Sequence, residues 1–172
     1  MRIMKVAHTI FDIALEAKIL EVPDRLALVL ALQHEEMPVP CLVSKIGYSF
    51  PDDVFFTGCF GLAPEKIGRT FANGHLSSFQ TRDDENKKYG GGIVLNIHGV
   101  RWGIAASGLR ALEDEGVALV SGMYTFNISS FTSEIHKILE ISGNTFAEKL
   151  LKKVSDEIGP PARFLKHVFV RA

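Results

Sequence analysis

Cysteine is scarce: Cys41 and Cys59 are the only two in 172 residues. Two thiols do not make the disulfide framework of a small secreted scaffold. Each sits in an apolar, strand-like setting (Pro-Cys-Leu-Val and Thr-Gly-Cys-Phe) that suits a buried reduced thiol. A bridge between them stays open, because the two segments can pair as neighbouring strands. Net charge is nearly absent too, at −1 from 19 basic and 20 acidic residues. That removes a global electrostatic case for nucleic acid or for an anionic membrane surface. No apolar run reaches the ~18–20 residues of a membrane span. The opening Met1-Arg-Ile-Met-Lys-Val-Ala-His has no apolar signal core with a small-residue cleavage site, so a cytoplasmic protein is expected. No CxxC and no HExxH is found, which argues against a dedicated zinc site.

What is present is an ordinary globular composition, 47% hydrophobic and 23% charged, in a chain long enough to bury a core without staples. Basic residues gather at Lys149, Lys152 and Lys153 and at Arg163, Lys166 and Arg171. Acids are interspersed among them, as on a solvated helix face. The most informative stretch starts at Gly90-Gly91-Gly92. It reads as a glycine-rich lead, a short apolar strand, a turn at Asn96-Ile-His98-Gly99, a second strand closed by Ser107-Gly108, and a helix opened by Leu112-Glu-Asp-Glu.

Around this β-β-α unit, residues 1–36 read as helical. An apolar face runs through Ile10, Phe11, Ile13, Ala14, Ala17 and Ile19. Pro23-Asp24 interrupts it, and residues 25–36 form a second helix of strong formers with Asp24 as N-cap. Residues 41–46 and 54–60 read as two strands separated by turn chemistry. Pro64 fits the first turn of a helix over 65–71, and the charged segment 81–89 reads as an exposed, mobile loop. Helices are expected over 132–141, 145–158 and 162–170, separated by Gly143-Asn144 and Gly159-Pro160-Pro161. Together these give an α+β fold, a four-stranded, mainly antiparallel sheet covered by helices.

Chemistry concentrates near His75, which ends the helix carrying Lys66, Arg69 and Thr70 and precedes Ser77-Ser78. A loop histidine among hydroxyls and cations can ligate haem iron, bind an anion or act as a base; the alternative is a histidine that orders the helix end. His98 lies in a turn and reads as structural. Gly90-Gly91-Gly92 precedes a strand and does not open a helix, so it is no phosphate loop. It allows close approach either of a neighbouring element or of a ligand. Ser107-Gly108 lacks the glycines of a nucleophile elbow. Glu113, Asp114 and Glu115 suit the positive end of a helix dipole, with a general-acid pair as the other reading. Trp102 reads as core or interface.

Taken in order, Lys66-x-x-Arg69-Thr70-Phe71, His75-x-Ser77-Ser78, Gly90-Gly91-Gly92-Ile93-Val94, Gly103-x-x-x-Ser107-Gly108-Leu109 and Glu113-Asp114 resemble the GlcG/HbpS-like family. These are haem-binding and haem-degrading domains that include the C-terminal domains of PduO-type proteins. The resemblance spans residues 20–123 and implies a profilin-like antiparallel sheet of four or five strands flanked by helices. It places that domain at 1–124 and leaves 125–172 as an extra C-terminal helical tail packed on it. It also implies a homo-oligomer and a small-molecule pocket at His75, Lys66, Arg69, Thr70, Ser77, Ser78, Gly91, Gly92 and Ser107. Haem is the candidate cofactor and His75 the candidate iron ligand.

The leading expectation is therefore a small-ligand-binding oligomer with no nucleic-acid or membrane partner. The alternative is a non-catalytic assembly or interaction protein using the C-terminal helices. Phe131, Ile135, Ile138, Leu139, Phe146, Leu150, Leu151 and Val154 recur there at helical spacing. A third reading, a hydrolase or lyase using His75 with Ser77 or Ser78, lacks a visible orienting group.

Overall fold

The chain runs α1 (Arg2–Glu16), β1 (Ala27–His34), β2 (Leu42–Gly47), α2 (Asp53–Ala72), a 3-10 turn (Ser78–Thr81), β3 (Gly92–Ile97), β4 (Val100–Ser107), α3 (Ala111–Phe126), α4 (Ser133–Ser142) and α5 (Thr145–Ile158). The structure is a computed structural model that describes residues 2–22, 24–128 and 132–161. The hairpin forms as its residues dictate. His98 (φ 54°) and Gly99 (φ 84°) both take positive φ, the two-residue turn that matches strand twist. The strands lie in the order β2-β1-β4-β3, each neighbouring pair antiparallel. The fold is thus α+β, a four-stranded antiparallel sheet flanked by five helices, as a profilin-like arrangement requires. Among the described residues, no helix is long and apolar enough to cross a membrane.

Alternation sorts the strand residues onto two faces. Leu28, Leu30 and Leu32, with Ile93, Leu95, Ile104 and Ala106, enter one core shared with α1, α3, α4 and α5. Val29, Ala31 and Ala105 enter a smaller core with Cys59, Ala63 and Ile67 of α2. Small residues let α2 lie close to the sheet. A Cβ at Gly103 would stand 2.3 Å from Ile67 Cγ2, and one at Gly92 would stand 2.9 Å from Lys66 Cβ.

Several expectations are corrected. Residues 25–36, expected as a helix, contain strand β1. It is buried on both faces and paired on both edges, so its Leu- and Ala-rich run shows no alternation that would separate strand from helix. Residues 54–60, expected as a strand, belong to α2. Asp52 caps that helix, its Oδ1 accepting from Phe55 N at 2.6 Å, so the acids taken for a turn are a helix start. Pro64 lies inside α2 and not in its first turn; its ring removes the N–H that would reach back to Phe60. Cys41 is exposed, and both cysteines are free thiols. Segment 81–89 is mostly exposed, as expected, and is closed by paired bonds between Asp83 and Lys88 at 2.9 and 2.8 Å.

The helices α4 and α5 appear where expected; the helix expected over 162–170, together with Pro23 and Phe131, lies outside the described residues. The apolar faces of α4 and α5 turn inward. Ile135, Ile138, Leu139, Leu150 and Val154 are buried in the main core, with Phe146 and Leu151 packed at its margin. Their helical spacing is accounted for by packing within the chain.

Candidate functional site

Three consecutive acids open α3, and at about 100° per residue they point toward three different neighbours. All three are buried. Glu113 reaches back to its own helix start, accepting from Arg110 N at 3.1 Å, and also accepts from Glu21 N in the link between α1 and β1. Asp114 takes Leu109 N on Oδ1 at 3.0 Å and Lys66 Nζ on Oδ2 at 3.0 Å. Glu115 accepts from Ser77 Oγ at 2.5 Å and from Asn144 Nδ2 at 3.1 Å. The positive end of the helix dipole favours all three charges, but each carboxylate also fastens a separate element to α3.

Burial pushes the Glu115 carboxyl above its ordinary value of 4.5, against the opposing pull of Ser142, Ser77 and Asn144. The folded state therefore keeps a proton that the unfolded chain has released. Stability from this group is full below the ordinary value and is lost as pH rises toward the raised one. Glu115→Gln, uncharged and of the same shape, should flatten that slope and gain on the parent protein toward neutral pH. Urea midpoints between about pH 4 and 8 test this; a difference between the two proteins that does not vary with pH contradicts it.

Lys66 comes from the buried face of α2, where Ala63, Ile67 and Thr70 are its helical neighbours. Its ammonium donates to Ala106 O at 2.6 Å as well as to Asp114, and the two side chains are 1% and 4% exposed. Beside this pair opens a cavity of about 340 Å³, between α2 and the turn from β4 into α3. Cys59, Lys66, Ser107 and Asp114 supply buried polar groups. Phe55, Leu62, Leu109 and Ala111 form apolar wall, and Arg25, Tyr89 and Gly108 complete the lining. Desolvation pushes the Cys59 thiol up, outweighing a hydrogen bond with Ser107 that pulls it down. At ordinary pH Cys59 is a neutral thiol.

Of the residues expected to form a ligand pocket, Lys66 and Ser107 line this cavity. Gly91 covers the ion pair from outside it: at φ 112° its missing Cβ would stand 2.6 Å from Asp114 Cβ and 2.9 Å from Lys66 Nζ. Gly92 N donates to Ser78 Oγ at 2.9 Å, and Thr70 Oγ1 donates to Lys66 O at 2.6 Å. Ser77 caps the 3-10 turn and holds Glu115. Arg69 clasps segment 81–89, donating to Thr81 O and Tyr89 O at 2.7 Å each and to Glu65 Oε1 at 2.9 Å. These six residues knit the loops and hold the frame.

His75 stands apart. Its N–H closes the end of α2 on Thr70 O at 3.0 Å, and its carbonyl accepts from Arg101 at 3.3 Å. Lys66 anchors at Ala106, five residues further along β4, or about 17 Å of strand. The Nδ1 of His75 is buried with no hydrogen-bond partner among the described residues, yet His75 does not line the cavity.

No protein-family model, curated protein or solved structure matches the chain.

His75, the expected iron ligand, does not line this cavity. The cavity contains no histidine, and its one thiol is held neutral, whereas iron takes the thiolate. Lys66 and Arg69, expected in the ligand pocket, are engaged with Asp114 and with loop carbonyls. Sequence reasoning missed Arg25, Phe55, Cys59 and Leu62 as cavity lining. One signal was available: a lone lysine on the apolar face of a helix needs a buried partner.

Proposed function

We propose that the chain binds a small ligand in the cavity between α2 and the β4–α3 turn. The observation that carries this reading is an ion pair, almost wholly buried, that opens onto a cavity and is not sealed by apolar side chains. Removing two charges from water costs about as much as their attraction returns, so a buried pair is weak support for stability alone. A pair kept beside a largely apolar hollow of about 340 Å³ supports a role toward a bound molecule. Ligand sites are commonly apolar concavities of about 300–1,000 Å³ with a few convergent polar groups.

A fragment library screened against the ¹⁵N-labelled chain tests the proposal. Amide shifts are expected to cluster at Cys59, Leu62 and Ser107 to Ala111. Leu62→Trp, which extends an indole into the hollow, should abolish them and leave the rest of the spectrum in place. Shifts scattered over the surface, or unchanged by that substitution, overturn the reading.

A further inference from the structure

The cavity's charges do not balance. Lys66 and Asp114 neutralise each other at 3.0 Å, which leaves Arg25. No ion pair among the described residues includes Arg25. The hydrogen bond it donates, to Gly108 O, is long at 3.4 Å, although a guanidinium carries five N–H donors. Its position is nevertheless fixed, since the guanidinium carbon lies 4.0 Å from the centroid of the Phe55 ring, a stacked cation–π contact.

From this we infer that the ligand is a compact monoanion, a carboxylate on an apolar body, anchored by Arg25; the inference rests on the cavity being the ligand site. Arg25 offers a planar fork that matches a carboxylate in two parallel bonds. The Ser107 hydroxyl lines the same hollow and adds a donor to the same preference. Phe55, Leu62 and Leu109 leave apolar wall for the remainder of the molecule. One uncompensated cation selects one negative charge. A dianion would bring a second charge out of water without a partner, and a cation would face Arg25 directly. A volume of about 340 Å³ limits the body to one ring or a short branched chain.

Calorimetry on the intact chain with phenylacetate, benzoate and 4-methylpentanoate, each against its amide, tests the assignment. At least one acid should bind about tenfold or more tightly than its amide, as a charge-assisted contact does over a neutral one. Arg25→Met should remove that gap, and Arg25→Lys should restore part of it. Arg25 is only partly buried, and the circular dichroism of both variants should match the parent. Acid and amide binding equally, or a gap that survives Arg25→Met, overturns the anion assignment and leaves the cavity as a ligand site. Failure of all six compounds to bind overturns both.

Discussion

Asp114→Leu alone is expected to destabilise the fold by about 3 kcal/mol, the lower end of the range for stranding one member of a buried ion pair. Lys66 would then keep only Ala106 O as partner, with its ammonium still enclosed. The adjoining cavity places the effect at the lower end, because water there can reach a stranded charge. Lys66→Met alone should cost less, since Asp114 retains Leu109 N and the helix dipole. The double variant should recover most of the loss, because two apolar side chains of similar volume no longer need each other. Urea unfolding of the four proteins gives the coupling energy directly. Singles that each cost under about 1 kcal/mol, with no coupling, would place the pair in bulk-like water and remove the basis for treating it as part of a buried site.

The second large effect is expected at Gly91. Its φ of 112° disfavours any L side chain, and an added Cβ would press on Asp114, Lys66 and Ala106 O at 2.6, 2.9 and 3.1 Å. Backbone strain of about 1–3 kcal/mol and overpacking of similar size together predict a loss of about 2–6 kcal/mol for Gly91→Ala. Gly99→Ala is the matched control. Gly99 also has positive φ, at 84°, but nothing lies within 4 Å of the position its Cβ would take. Denaturant midpoints for the two variants separate conformational strain from crowding over the ion pair. Equal losses would mean that crowding contributes nothing.

These residues also mark what the sequence could and could not disclose. The β3-β4-α3 unit was legible because its determinants are local: a His98-Gly99 turn, a short apolar run on either side, and acids at a helix start. Strand β1 was not, because a central strand buried on both faces carries no period, and its Leu and Ala residues are good helix formers. The first half of α2 misled in the opposite sense. Phe55, Phe56 and Phe60 favour strands and Gly58 and Gly61 weaken helices, yet the Asp52 cap and packing on the sheet decide the outcome. Lys66 was recognised as a candidate, but its partner lies 48 residues away and nothing local joins them. In the sequence Asp114 reads with its neighbours as one acidic helix start, although burial gives the three carboxylates three separate tasks. Arg25 was hidden by the misassigned helix around it.

The triply anchored start of α3 has a mechanical consequence. Rotating or sliding this helix to widen the cavity would break the contacts of Glu113 and Glu115 together with those of Asp114. The cavity floor is therefore preorganised, and ordering it does not draw on the free energy of association. On the proposed reading, admission of a guest falls to exposed lining side chains such as Tyr89, which change rotamer in nanoseconds or less. On the same reading, selectivity is set by shape and charge against a floor that does not adapt to a poorly fitting molecule.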